Sequence, residues 1–463
     1  MAVSQSPALS SIDVSALPAE VAEAVARVVE LCHEQARSDP SAETFEAVET
    51  GLREAMNALG CALLGAWAES QDDGASRIER DGQSWFRVAA TPKTVMTTLG
   101  PVSFRRARYR NGASSMSLVP VDESLGLIDD YLSRPAAQLG LMMMGHCTPR
   151  EAEEFFAKVG GMTPSVSTLQ RLTLNMHERW EGIAPETLAS IREAEDIPPE
   201  AVTASVSLDG VMVALRAGED GRGEACWREA ACGTVSFHDA RGQRLKTLYL
   251  GRMPESGKTK LKAQLASEVA HIRRVRPEIR IGAVADGAAD NWTFLESLSP
   301  ETEVIDFWHA CEHLRVASDH AVAPHWFERH REILRHDPRG VAKVIRALCY
   351  LRDTAKGDLA EIERELAFFR KHRHRMRYHA LKEEGIAIGS GVVEAACKTL
   401  VAQRLKRSGM RWRIAGGQAV LTFRSLIKSG LFDQAWAALL GARSRPANDN
   451  ISSPEVLGLA LAA

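Results

Sequence analysis

Three acidic residues stand where carboxylates could share one task. The strand-like runs Val206-Ser-Leu-Asp209-Gly210 and Ile281-Gly-Ala-Val-Ala-Asp286-Gly287 each end in an Asp-Gly pair, and Gly389-Ser-Gly-Val-Val-Glu394-Ala-Ala-Cys-Lys398 sets a Glu near the start of a helix. Phosphodiester transfer needs an activated oxygen nucleophile and neutralisation of developing charge, and two hard cations about 4 Å apart supply both. Magnesium takes few protein ligands, so Asp209, Asp286 and Glu394 are a sufficient set for Mg2+ or Mn2+, with two ions expected when DNA is bound. Each Asp-Gly alone reads equally as a hairpin turn. Their joint placement, followed by a helical Glu, argues for metal-dependent phosphoryl transfer on nucleic acid.

The helix bearing Glu394 leads into a cationic cluster, Arg404-Leu-Lys-Arg-Ser-Gly-Met-Arg-Trp412. Net charge is only -3, yet residues 1–75 carry 3 Lys/Arg against 13 Asp/Glu, whereas residues 364–413 carry 13 against 4. Such asymmetry points to a polyanionic partner, because each Lys or Arg that neutralises a phosphate releases counterions. A solvated helix face is the alternative.

The composition, 45% hydrophobic and 25% charged, is that of an ordinary soluble protein, and 463 residues allow two or three domains. No run approaches the roughly 18 apolar residues of a membrane span, and Met1-Ala-Val-Ser-Gln-Ser lacks a basic flank, which predicts a cytoplasmic protein without a membrane partner. The 8 cysteines include no Cys-x-x-Cys pair, so neither a disulfide framework nor a zinc ribbon is expected.

Apolar spacing predicts an acidic helical hairpin over 1–75, with helices at 18–37 and 42–70. A small β element over 76–128 has strand-like runs at 85–90, 94–99 and 102–109, with Gly100-Pro101 as the turn between the last two. Its arginine-rich strand, including Arg105 and Arg106, reads either as a DNA contact or as a charged edge that prevents aggregation. Residues 129–196 are helical. Thr148-Pro-Arg-Glu151 is a capping box ended by Gly160-Gly161, and Ser167-Thr-Leu-Gln170 caps the next helix, giving a helix-turn-helix-like segment. A DNA-binding version would present Gln170 and Arg171 to the major groove, although helical hairpins of this shape also occur in ordinary proteins.

From Thr203 the pattern predicts three antiparallel strands, a helix at 260–274 and strands at 279–285 and 303–307. That order matches an RNase H-like α/β domain, with a first part at 203–310, an all-helical insertion at 311–387 and a second part with the catalytic helix at 388–440. The tail, 441–463, reads as disordered. Two other patterns compete. His309-Ala-Cys-Glu312-His313 matches the H-x-x-E-H of zinc peptidases, without an identifiable third ligand. Gly251-Arg-Met-Pro-Glu-Ser-Gly257-Lys258-Thr259 resembles a P-loop with one residue too many and a Pro in the phosphate nest, and is rejected as a nucleotide site.

Taken together, Thr97 to Arg106, Pro120-Val-Asp-Glu-Ser-Leu-Gly126, Ala285-Asp-Gly-Ala288, Asp306-Phe-Trp-His-Ala-Cys-Glu-His-Leu314, Gly389 to Lys398 and Arg404 to Trp412 resemble the DDE transposases of bacterial insertion sequences, most closely the ISKra group. The resemblance covers about 92–436. It implies an RNase H-like core interrupted by the helical insertion, with Asp209, Asp286 and Glu394 as the metal-binding triad. It assigns Asp306, His309 and His313 to site architecture or DNA contact, through the C/D-x-x-H element after the second Asp. It implies that Lys398, Arg404, Lys406, Arg407 and Arg411 meet DNA, while Trp412 either stacks on a base or anchors the chain after Gly409. Relatives often carry Cys-x-x-Cys after the arginine-rich strand; Tyr109 to Met116 has none, so zinc is not expected there. The implied reaction cleaves the terminal inverted repeats of an element and joins the freed 3′-hydroxyl to double-stranded target DNA, which requires a homo-oligomer to hold two ends. The alternatives are an RNase H-like nuclease or resolvase without strand transfer, and a non-catalytic DNA-binding descendant.

Overall fold

A computed structural model of the chain describes residues 17–35, 39–111, 117–194, 197–218, 224–321, 323–354, 359–389 and 391–441; the expected disordered tail lies outside the described residues apart from Gly441. The protein is a mixed α/β structure. Helices α1 (Ala19–Gln35) and α2 (Ala42–Ser70) pair as expected, with the Ser41 hydroxyl capping α2 at the Thr44 amide, 3.1 Å away. A three-stranded antiparallel sheet follows, built from β1 (Arg77–Arg80), β2 (Gln83–Thr97) and β3 (Gly100–Arg110), and α2 packs on β3. The two strand-like runs before Gly100 are one strand, because Thr91, Pro92 and Lys93 stay in register with Arg106, Arg105 and Phe104 of β3. The β2–β3 turn is therefore Thr98-Leu99, not Gly100-Pro101: the Thr97 hydroxyl accepts from the Leu99 amide and donates to the Gly100 carbonyl, closing a two-residue hairpin.

Helices α3 (Pro120–Leu125), α4 (Arg134–His146), α5 (Pro149–Val159) and α6 (Val166–Ala194) come next. The Thr148–Glu151 capping box forms reciprocally at α5. At α6 the cap is Ser165 rather than Ser167, its hydroxyl 3.2 Å from the Thr168 amide, so the helix begins earlier than its sequence signal.

The second sheet contains β4 (Thr203–Leu215), β5 (Cys226–His238), β6 (Arg244–Arg252), β7 (Arg280–Ala285) and β8 (Thr302–Ile305), in the order β6-β5-β4-β7-β8. The first three are antiparallel; β4–β7 and β7–β8 are parallel. Helix α7 (Thr259–Val275) links β6 to β7, and α8 (Ala289–Ser297) links β7 to β8. Strand β7 is buried in five of its six positions, as expected for a parallel strand covered on both faces. A helical segment follows: α9 (Phe307–Ser318), α10 (Trp326–His336), α11 (Gly340–Thr354), α12 (Ala360–Lys371) and α13 (Tyr378–Glu383).

The chain returns to the sheet with α14 (Gly391–Ala396), a π-helical turn (Cys397–Ala402), α15 (Gln403–Leu405), α16 (Ile414–Lys428) and α17 (Phe432–Gly441). One buried apolar cluster runs from Leu141 and Leu172 through Val206 and Val284 to Leu348, Phe369 and Trp436, so the helical segment shares its core with the sheet. A second, smaller core joins Val213, Ala230 and Cys232 of β4 and β5 to Val393, Cys397, Leu400 and Leu421.

Candidate active site

Asp209 sits within β4, not at its end. The strand continues through Gly210 to Leu215, with Asp209 opposite Cys232 and Gly210 opposite Ala231, so the hairpin-turn reading fails at this position. Glu229 lies across Gly210: a Cβ there would sit 1.7 Å from Glu229 Oε1, so a larger residue would displace this half-exposed carboxylate. The parallel β4–β7 ladder ends at Val206 opposite Ala283, and three residues further along each chain stand Asp209 and Asp286. The strand pairing thus brings together two carboxylates 77 residues apart in sequence.

Asp286 follows the last residue of β7. Its Oδ1 accepts from the Ala288 amide at 3.1 Å and from Asn291 Nδ2 at 3.2 Å, an Asx-type turn that opens α8. Gly287 leaves room for Phe368 of α12, whose ring would lie 2.8 Å from an added Cβ. Burial raises the pKa of Asp209 above the ordinary carboxylate range, and the Asp286 charge adds to the rise, while the Gly210 amide, the Cys397 thiol and Lys258 oppose it.

Helix α14 packs on β5 and β4. Its entry is fixed by the Phe307 amide donating to the Ile388 carbonyl at 2.9 Å, and by Gly389 lying against Trp308 and Asp306. Val393, Ala396 and Cys397 face the core, whereas Glu394 is exposed. One turn after Glu394, Cys397 Sγ lies 3.5 Å from Asp209 Oδ2 and pairs with the Cys232 thiol; that pairing and burial push the Cys397 thiol well up. Arg424 of α16 donates to the Thr399 and Leu400 carbonyls at 3.0 and 2.9 Å, satisfying acceptors in the π-helical turn.

Asp209 and Asp286 fit a hard divalent cation, because burial and mutual repulsion are both relieved by one. Glu394 stands apart from them. Among the described residues no three His, Cys, Asp or Glu side chains are grouped closely enough to hold a metal ion.

The chain matches no protein-family model and no curated protein.

The remaining expected residues divide sharply. Asp306 is 3% exposed and caps α9 through the His309 amide at 2.7 Å, an architectural position. His309 Nδ1 lies 3.1 Å from Glu312, and His313 pairs with the buried Glu365 while its ring stacks on Phe368 at 3.6 Å. The histidines of the H-x-x-E-H pattern thus have carboxylate and aromatic partners. Arg105 is exposed, but Arg106 is a correction: it pairs with Asp122 through Nε and Nη2 at 3.0 Å each and donates to Thr91 and Pro92, so its guanidinium is used inside the fold. Gln170 and Arg171 are exposed in the first turns of α6. Lys398, Lys406, Arg407 and Arg411 are exposed, Arg407 pairing with Glu151.

Arg404 is a second correction. It is 0% exposed, donates to the Met144 carbonyl and lies 5.2 Å from the Trp412 ring, and burial lowers its pKa to about 10. It offers no surface to a phosphate. Trp412 takes the anchoring alternative: its indole donates to the Leu405 carbonyl at 2.9 Å, and its backbone pairs with Ala214 and Arg216 at the end of β4.

Sequence reasoning missed three residues at the carboxylate pair: Glu229, Lys258 and Asn291. Lys258 Nζ lies 3.4 Å from Glu229 Oε1 and 3.5 Å from Asn291 Oδ1. The only signal was Gly257-Lys258, set aside with the P-loop reading. No short motif marks Glu229 or Asn291, which reach the site through the β4–β5 register and the first turn of α8.

Proposed function

We propose that this chain is a DDE-type DNA transposase with an RNase H-like catalytic core, similar to those of the ISKra group of insertion sequences. The observation that carries the reading is the placement of Asp209 and Asp286 at matching depth on adjacent central strands of a β6-β5-β4-β7-β8 sheet, with the helix bearing Glu394 packed beside them. Three antiparallel strands followed by two parallel ones is the strand pattern an RNase H-like core requires.

In this reading Asp209 and Asp286 would hold the divalent cations, with Glu394 of α14 as the third carboxylate. The cations would supply neutralisation of charge on the phosphoryl group and activation of the attacking oxygen. The chain's own residues orient the groups. The Ala288 amide and Asn291 fix Asp286 Oδ1, which presents Oδ2; the Cys397 thiol leans on Asp209; and the Ile388–Phe307 hydrogen bond docks the start of α14. Water attacks first, forming one P–O bond as the bond to the 3′ oxygen breaks and that oxygen leaves protonated as a 3′-hydroxyl; the freed 3′-hydroxyl then attacks a target phosphorus, forming one P–O bond as the target's own P–O3′ bond breaks and its 3′ oxygen leaves with the proton. Exposed Lys406, Arg407 and Arg411 contact backbone phosphates. A second copy of the chain holds the second end.

The test uses a plasmid carrying the reading frame with its native flanks, and pre-cleaved ends made from them. Wild-type protein in Mg2+ or Mn2+ is expected to join the pre-cleaved ends to target DNA. Asp209→Asn, Asp286→Asn and Glu394→Gln should each lose 1000-fold or more of cleavage (an order-of-magnitude expectation, roughly 4 kcal/mol) with DNA affinity retained. Fragments released without joining would favour the hydrolytic nuclease. Unchanged cleavage by Glu394→Gln would end the assignment of that carboxylate.

A further inference from the structure

Lys258 has a backbone conformation that ordinary residues avoid. Gly257 (φ 61°, ψ 11°) and Lys258 (φ 55°, ψ 33°) are consecutive left-handed residues at the start of α7. A side chain with a Cβ is disfavoured there, and such strain gathers at functional sites. The conformation delivers an ammonium whose side chain is only 15% exposed to a place between Glu229 and Asn291. Asn291 is itself 4% exposed, so its amide has little water to satisfy it.

The order of contacts is directional. Glu229 Oε1 accepts from Lys258, Lys258 donates to Asn291 Oδ1, and Asn291 Nδ2 donates to Asp286 Oδ1. An Asn amide can be placed in two orientations, and its neighbours decide between them. Flipped, it would set an NH2 against an ammonium and a carbonyl oxygen against a carboxylate, both repulsive. Lys258 therefore selects the orientation that donates to Asp286. With Oδ1 held by Asn291 and by the Ala288 amide, Oδ2 is the oxygen left to take a ligand. Glu229 completes the chain by lying across Gly210, where any Cβ would collide with it.

We propose that Lys258 is a positioning residue of the carboxylate site, acting through Asn291 to fix which oxygen of Asp286 meets a divalent cation, with Glu229 as its counter-ion. The inference deepens the metal-dependent reading and rests on it. It also makes a prediction opposite in sign to simple electrostatics. Glu229, Asp209 and Asp286 carry three negative charges against one positive charge on Lys258, so removing the lysine charge without any positioning effect would tighten cation binding. Loss of positioning loosens it, and outer-shell partners of metal ligands typically contribute 10–100-fold in affinity.

The experiment measures Mn2+ affinity of the full chain without DNA, by electron paramagnetic resonance, for wild type, Lys258→Asn, Lys258→Arg, Asn291→Leu and Asp286→Asn, with thermal unfolding in metal-free buffer beside it. Asn accepts the left-handed backbone, so Lys258→Asn is expected to fold with an unchanged melting temperature. Lys258→Asn and Asn291→Leu should weaken Mn2+ binding about tenfold or more, and Lys258→Arg should recover most of the loss. Tighter or unchanged Mn2+ binding in Lys258→Asn, with binding abolished in Asp286→Asn, would overturn the positioning role and leave the carboxylate site standing. Unchanged Mn2+ binding in Asp286→Asn would overturn the site reading, and the role of Lys258 with it.

Discussion

Asp209 is held where its charge is unwelcome. Burial first, and the neighbouring Asp286 second, raise its pKa above the unfolded value. A carboxyl raised in this way contributes stability that is fully present below the unfolded pKa, near 3.9, and lost as pH rises through the folded pKa. Above the unfolded pKa the raised carboxyl therefore opposes folding. Asp209→Asn is expected to stabilise the metal-free protein at pH 7, with the gain shrinking below about pH 4. Thermal melts across pH check this, and a variant less stable than wild type at pH 7 would refute it. An apolar run before an Asp signals a buried strand end, which holds for Asp286 after β7 but not for Asp209, which lies within β4. Arg404 was misread because sequence shows its charge but not the turn that buries it against Met144 and Trp412. Lys258 was passed over because its contacts depend on left-handed backbone and on a residue of β5, neither of which a motif encodes.

The helical segment between β8 and α14 is pinned to the sheet through one turn. Arg375, in the 3-10 turn Arg373–Arg375, donates to Glu303 of β8 at 2.7 Å, pairs with Glu296 of α8 and lies 3.8 Å over the Trp292 ring. It also donates to His372 Nδ1 at 3.1 Å, which requires that ring nitrogen unprotonated. Burial, then the charges of Arg375, Lys371, His374 and His313, lower the His372 pKa to about 4. A depressed His contributes stability present above its unfolded pKa, near 6.5, and lost as pH falls through about 4. Wild type should therefore lose on the order of 3 kcal/mol below pH 4 relative to His372→Gln, which keeps an acceptor and cannot titrate. Parallel acid titrations of the two proteins would contradict this. All five strands of the second sheet were readable from periodicity, whereas β1 (Arg77–Arg80) of the first sheet was read as a polar segment and β2 as two strands. The boundaries that failed, at the Thr98-Leu99 turn and the Ser165 cap, were each decided by a hydroxyl, of Thr97 and of Ser165, closing the turn on a backbone group two or three residues on, which local propensity does not weigh.

In the proposed reading, charge and chemistry are separated along β4. Trp412 pairs with the strand at Leu215, six residues beyond Asp209, so the strand separates Asp209 from the anchor of the basic stretch by about 20 Å at roughly 3.3 Å per residue. DNA advances about 3.4 Å per base pair, so a duplex bound at both places spans about six base pairs between them. The basic stretch would then govern affinity and register without touching the phosphate under attack. Replacing Lys406, Arg407 and Arg411 together by Ala should lower the slope of log affinity against log salt by about 0.9 for each lost phosphate contact, and leave single-turnover cleavage of saturated complexes within about threefold of wild type. Arg404→Met serves as the internal comparison. Its buried guanidinium has no hydrogen-bond partner at Nη1 or Nη2 among the described residues, so both slope and affinity should stay at the wild-type value. Fluorescence anisotropy on a duplex from the native flanks, between about 50 and 200 mM salt, reads both quantities. An unchanged slope in the triple variant, or a reduced one in Arg404→Met, would show that the sequence's basic cluster meets DNA through a different set of residues than its surface exposure dictates.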